Sequence, residues 1–165
     1  MTDDRIKQAI NGDDDALIEC MQQISKQMTW TAISLLGDEE LAKDCIMETT
    51  IKVYKKRKTI RQPEFFKTWV IRILINECKN ELKRQRKYVP LPENFDVAAP
   101  MEASVDFVHD LIDTLPFELK QILVLRFFHD LTFREIGEVI QSPESTVKSR
   151  YKSALQRLRV EMEIE

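Results

Sequence analysis

The sequence predicts an all-α protein of two small helical domains joined by an extended linker. Glycine is scarce, three in 165 residues, and the six prolines lie at element boundaries. Sheets and hairpins need more glycine in their turns. Apolar residues recur at helical spacing through two separate stretches of chain. Between them, residues 88–104 read YVPLPENFDVAAPMEAS, with three prolines, several small residues and no period, which is linker composition. The expected division is a first domain over residues 1–87, a linker over 88–104 and a second domain over 105–165.

Taken in order, Asp3 to Ile10 forms a short helix closed by Asn11-Gly12. Asp13 to Asp15 start the next helix, with carboxylates favourable at its positive end. It runs to Leu36, and Gly37 suits the left-handed residue beyond it. Leu17, Met21, Ile24, Met28 and Ile33 supply its apolar side, a core pattern rather than a cofactor site. Asp38 caps a third helix, with Leu41, Cys45, Ile51 and Tyr54 apolar, ending in Lys55-Lys56-Arg57-Lys58. A polar loop from Lys58 to Gln62 leads to Pro63, a good first-turn residue. A long helix then runs from Glu64 to about Lys87. Arg72, Asn76, Lys79 and Lys83 are spaced 4, 3 and 4 apart and form one polar stripe. Val70, Ile71, Leu74, Ile75, Cys78 and Leu82 cover the other side. Phe65, Phe66 and Trp69 at its start read as core.

Beyond the linker, Val105 to Leu115 forms a helix with Phe107, Val108, Leu111 and Ile112 apolar. Pro116 restarts the chain. Phe117 to His129 is the next helix, with Ile122, Leu123, Leu125, Phe127 and Phe128 apolar. Leu131 to Leu158 then reads as a helix, a tight turn and a second helix. Thr132 with Glu135 three residues later makes a capping box. Ile136 and Ile140 face one core, and Gly137 between them lets a second helix cross close to the backbone. Ser142 caps that second helix, with Pro143 in its first turn. Gln141 in the turn is less comfortable than glycine in a left-handed conformation, by ~1 kcal/mol. Val147 and Tyr151 point back at the first helix. The opposite face carries Ser145, Thr146, Lys148, Ser149, Arg150 and Lys152, the kind of short polar, basic surface a helix-turn-helix pushes into the major groove.

Charge is distributed in blocks. Net charge is −3, yet residues 52–87 carry thirteen basic and three acidic groups, while residues 1–51 and 88–119 each sum to −7. Separate fields of this kind suit separate partners. The basic block, with its polar stripe bordered by aromatics, suits single-stranded nucleic acid, which takes phosphate contacts and a stacking surface. Cys20, Cys45 and Cys78 are far apart and read as buried thiols; with His109 and His129 also isolated, no zinc site is expected. There is no nucleophile–base pair and no phosphate loop, so no enzyme activity, cofactor or small-molecule substrate is expected. No apolar run approaches the ~18 residues of a membrane span and no signal peptide opens the chain, so a cytoplasmic protein without direct membrane binding is expected.

Three stretches carry a family likeness. Glu40 to Tyr54, ELAKDCIMETTIKVY, is similar to D-x-x-Q-E-T-F-x-x-x-W. Phe66 to Asn76, FKTWVIRILIN, is similar to F-x-T-W-L-x-R-I-A-x-N. The third runs from Leu115-Pro116 through Leu158, with Glu135-Ile136-Gly137 and Thr146-Val147-Lys148-Ser149-Arg150. In their order and spacing the chain resembles an extracytoplasmic-function (ECF) sigma factor of the sigma-70 family. The resemblance implies a region 2-like domain and a region 4-like helix-turn-helix domain. It implies a promoter-specificity subunit that binds bacterial core RNA polymerase and promoter DNA, with the linker threading the polymerase. The first domain would read and melt the minus-ten element; the second would read the minus-thirty-five element as duplex. It also implies an anti-sigma factor, often membrane-anchored, clasping both domains, and association with the nucleoid when active.

Carried over residue by residue, Asp44, Met47 and Glu48 fall on the polymerase-binding positions. Arg72, Asn76 and Lys79, with the loop Lys58, Thr59, Ile60, Arg61 and Gln62, fall on the single-strand minus-ten surface. Thr132, Ser145, Thr146, Lys148, Ser149, Arg150 and Lys152 fall on the minus-thirty-five surface, with Lys148, Ser149 and Lys152 at base-edge positions and Arg150 at a phosphate. Arg126 and Lys120 are weaker backbone anchors. Met47 stands where the family has Gln, Thr50 where it has Phe, and Gln141-Ser142 where it has Gly and an apolar residue. The other reading is a stand-alone helix-turn-helix regulator whose N-terminal half dimerises or senses. A duplex regulator, however, has no need of the basic 52–87 block.

Overall fold

The structure is a computed structural model that describes residues 1–88 and 110–164. Every regular element among the described residues is helical. Helix α1 spans Asp3–Asn11 and ends at Gly12, whose φ of 118° needs glycine. α2 spans Asp14–Leu36: the Asp13 carboxylate accepts the Ala16 N–H at its start, and Gly37 closes it at φ 67°. α3 spans Glu39–Lys56 and is capped by Asp38, which accepts the Leu41 N–H at 2.9 Å. Short 3-10 turns follow at Arg57–Thr59 and Pro63–Phe65. α4 then spans Phe66–Tyr88.

The start of α4 departs from expectation. Phe65 belongs to the preceding 3-10 turn, out of register with the apolar face of α4, and is 51% exposed, while Phe66 is fully buried. The expected linker beyond Tyr88, and Phe107 and Val108 of the following helix, lie outside the described residues. Residues 110–113 are helical, with Leu111 half-buried and Ile112 buried. α5 spans Phe117–Phe127, α6 Phe133–Ile140 and α7 Glu144–Ile164. Phe127 and Phe128 are exposed rather than core, because α5 ends there and the turn at Asp130 (φ 52°) buries His129 in their place. Phe127 instead lies beside Tyr151, with ring centroids 6.4 Å apart.

The halves on either side of residues 89–109 pack together. One apolar cluster runs from Leu17, Met28, Phe66 and Leu74 into Ile122, Leu125, Ile136 and Val147. Each such side chain contributes about 1.5–3 kcal/mol. α5 is the shared element. Every residue from Leu119 to Leu125 is buried, including Lys120 and Gln121, because a smaller cluster of Leu115, Leu119, Leu123 and Ala154 covers its other side. A helix buried all round sits at the centre of a fold rather than on its surface. Lys120 pairs there with Asp113 at 3.2 Å.

Across this seam Thr31 of α2 meets His129 at 2.7 Å. The Thr31 hydroxyl donates its proton to the Gln27 carbonyl at 2.7 Å. It can therefore only accept from His129, which fixes the proton on Nε2. His129 Nδ1 has no hydrogen-bond partner. Burial, and then the charge of Lys67, lower the His129 pKa to about 4. His129 lines a cavity of about 110 Å³ with Lys67, Thr68, Ile71 and Leu131. Cys20, Cys45 and Cys78 are buried free thiols. Among the described residues, no helix is long and apolar enough to cross a membrane, and no cluster of three His, Cys, Asp or Glu side chains is placed to hold a metal.

Candidate nucleic-acid and partner interface

The sequence-predicted residues fall on three surfaces. The first is α3. Asp44, Met47 and Glu48 are all exposed, with Met47 at 64%. Ile51 and Tyr54, expected on the core side of this helix, are exposed too; the buried side is Ala42, Cys45, Thr49 and Val53. Met47, Ile51 and Tyr54 are spaced 4 and 3 apart, so they form one apolar stripe edged by carboxylates. That spacing was the available signal. Leu41 and Cys45 make a competing apolar face that masks it. Beside the stripe a groove of about 470 Å³ opens between α2 and α3, lined in part by Leu17, Ile18, Met21, Ile46 and Tyr54. A contiguous exposed apolar surface of this kind offers area that a binding partner can bury.

The second surface is the loop before α4 together with α4 itself. Lys58, Thr59, Arg61 and Gln62 are exposed, while Ile60 is half-buried and packs against the core, anchoring the loop. The Thr59 hydroxyl donates to the Lys56 carbonyl at 2.7 Å. Arg57, expected as part of the basic run, points inward. It pairs with Asp14 at 2.6 Å, donates to the Gly12 carbonyl at 3.2 Å and lies over the Tyr54 ring at 4.6 Å. It therefore ties α1 and α2 to the end of α3 and contributes little outward field. Lys52 likewise pairs with the nearly buried Glu77, joining α3 to α4. On α4, Asn76 and Lys83 are exposed and Arg72 and Lys79 are half-buried. Half-buried Trp69 and exposed Phe65 border the stripe at its N-terminal end.

The third surface is the helix-turn-helix. The Thr132 N–H donates to the Glu135 carboxylate at 2.7 Å and the Thr132 hydroxyl accepts the Glu135 N–H at 3.3 Å, completing the capping box. The Thr132 N–H, and then the Thr132 hydroxyl, which lies 2.8 Å from the same carboxylate oxygen, hold the Glu135 carboxyl below the usual range. Gly137 is required by space: a Cβ there would lie 2.6 Å from the Ser142 carbonyl oxygen. Gln141 turns the chain at φ 56°, ψ 47°. α7 begins one residue later than the Ser142 cap implies, its first bond running from the Val147 N–H to the Pro143 carbonyl at 3.1 Å. Val147 is buried, and Tyr151 packs on Phe133 with ring centroids 5.0 Å apart.

The opposite face of α7 presents Ser145, Lys148, Ser149 and Lys152 to solvent, with Thr146 and Arg150 half-buried. Lys148 leans on Glu144 at 3.1 Å, and Arg150 lies 3.5 Å from Glu118 of α5. The two weaker candidates are used internally. Lys120 is buried against Asp113. Arg126 donates to the Leu131 carbonyl at 3.0 Å and lies over the Phe133 ring, so it braces the turn before α6.

Comparison with known proteins matches both halves of the chain to one family. Residues 21–88 match sigma-70 region 2 and residues 111–160 match sigma-70 region 4. The chain is 28% identical over 151 residues to RNA polymerase sigma factor SigV of Bacillus subtilis, spanning 88% of this chain and 90% of that one. It is 32% identical over 127 residues to the ECF RNA polymerase sigma-E factor of Haemophilus influenzae, spanning 65% of this chain and 67% of that one. Among solved structures, the sigma factor RpoE in complex with the anti-sigma factor NepR from Bartonella quintana shares the fold. The TM-score is 0.72 at 18% identity, over 89% of this chain and 98% of that one.

Proposed function

Because the chain belongs to the ECF group of the sigma-70 family, we propose that it directs promoter-specific transcription initiation by bacterial core RNA polymerase. What supports this reading most is the presence, on one chain, of three distinct exposed surfaces. A major-groove helix is on α7, an Asn-bearing basic face is on α4, and an apolar stripe edged by carboxylates is on α3. A stand-alone duplex regulator uses only the first.

In this reading residues 1–87 and 105–165 are the two promoter-reading domains and 88–104 joins them. Asp44, Met47 and Glu48, extended by Ile51 and Tyr54, dock on core polymerase. Asn76 and Arg72 contact the opened minus-ten strand, with Lys79 on its phosphates. The loop Lys58 to Gln62 receives an unstacked base, a step that costs a few kcal/mol and is met by binding energy. On α7, Lys148, Ser149 and Lys152 read base edges of the minus-thirty-five element, where lysine donates to guanine O6 and N7. Arg150 neutralises a phosphate, and Ser145, Thr146 and Thr132 border the contact. The protein performs no chemistry itself; phosphodiester synthesis belongs to the polymerase. It works in the cytoplasm at the nucleoid, and an anti-sigma factor restrains it by covering these surfaces.

The test is run-off transcription with bacterial core polymerase and a library of genomic promoters. Transcripts that require the protein, with starts sharing two spaced upstream elements, are expected. Duplex binding without polymerase binding or transcripts would overturn the proposal in favour of the stand-alone regulator.

A further inference from the structure

Glu118 stands in the first turn of α5, between the two DNA-facing surfaces. Its Oε1 lies 3.9 Å from Nζ of Lys79 on α4, and its Oε2 lies 3.5 Å from an Arg150 guanidinium nitrogen on α7. Gln121 also donates to Oε2 at 3.2 Å. One carboxylate thus faces two cations from opposite halves of the chain, as a nucleic-acid phosphate would. Sharing one carboxylate keeps those cations within about 10 Å of each other. Promoter elements centred about 25 base pairs apart are separated by about 85 Å of duplex, at roughly 3.4 Å per pair. The arrangement seen here cannot engage both elements.

We propose that this conformation is a closed, DNA-incompetent state in which Glu118 stands in for phosphate at Lys79 and Arg150. The inference rests on the promoter-reading function proposed above. All three side chains are partly solvated, so the pairs themselves hold the halves together only weakly. What holds them is the apolar seam around α5 and the buried Thr31–His129 bond. Glu118 sets the competition: DNA must displace it to reach either cation. Any partner that binds only the opened form shifts the population by its difference in affinity for the two forms.

The experiment uses the full-length protein without polymerase. Fork-junction promoter DNA is titrated by fluorescence anisotropy, and the radius of gyration is measured by small-angle scattering. The wild type should be compact, near about 15 Å for a chain of this length. Glu118→Gln should bind the DNA about tenfold more tightly, whereas Asp4→Asn, an equal charge change on exposed α1, should not. Thr31→Val leaves the buried His129 N–H without an acceptor. It should raise the radius and reduce the effect of Glu118→Gln, since an opened protein has no shared carboxylate to lose. Equal tightening by Asp4→Asn, no tightening by Glu118→Gln, or an extended wild type would each overturn the closed state. Run-off transcription at saturating polymerase keeps the two proposals apart. Polymerase-dependent transcripts with no Glu118 effect sink the closed state alone, whereas no transcripts remove the function on which it rests.

Discussion

At the scale of single residues, Arg150 and Gly137 show how position decides role. Arg150 is half-buried on the outer face of α7, and it faces the Glu118 carboxylate, which phosphate can replace. Arg150→Ala should weaken promoter binding across sequences and lower the slope of log affinity against log salt by about one. Anisotropy titrations at several salt concentrations read both, and an unchanged slope would remove the phosphate role. Gly137 has an ordinary helical backbone, and alanine there would gain about 1 kcal/mol of helix propensity. The added Cβ, however, meets the Ser142 carbonyl oxygen at 2.6 Å, a backbone atom that moves only with the whole turn. Gly137→Ala should therefore destabilise the protein by about 1–2 kcal/mol net, seen as a lower urea midpoint and weakened duplex binding. A midpoint at or above wild type would mean that the turn yields freely.

At the scale of elements, α4 separates two DNA activities that α7 alone would merge. Asn76 is exposed in the middle of its polar stripe, with Arg72 one turn before it and Trp69 beyond. Asn76→Ala leaves α7 untouched. It should spare duplex binding yet reduce strand opening several-fold, read as weaker permanganate reactivity of minus-ten thymines in the polymerase complex. Wild-type reactivity would place strand contact elsewhere. Elements whose ends are set by local chemistry were legible in the sequence. Asp13, Asp38 and Thr132 cap, and Gly12 and Gly37 terminate, where the residue types say they do. Faces set by distant chain were less legible. Ile51 and Tyr54 look like core until α2 and α4 are seen to cover the other side of α3. Lys120 and Gln121 look like surface until α5 is seen between two clusters. Arg57 reads as one more cation of a basic run, because its partner Asp14 lies 43 residues away.

At the scale of the whole molecule, the sequence divides cleanly by composition, yet the two halves share a seam, and His129 makes that seam sensitive to pH. Burial comes first and Lys67 second in lowering its pKa from 6.5 to about 4. Thr31 faces its Nε2 and offers no charge. In the unfolded or opened chain the imidazole returns to its ordinary value. Between pH 4 and pH 6.5 those states hold a proton that the closed state excludes, so closed-state stability rises with pH across this window. The contribution is fully present above about 6.5 and is lost as pH falls toward 4; the whole difference is about 3 kcal/mol. Arg5 holds Glu19, and the Thr132 amide holds Glu135, below the ordinary carboxylate value. Urea midpoints should hold from pH 7.5 to about 6.5 and fall from there to pH 5.0 in the wild type. In His129→Gln, whose amide can still donate toward Thr31 but does not titrate, they should fall much less. Equal slopes for the two proteins would mean that His129 is solvated in the folded protein, with the halves already apart and Glu118 shared by nothing.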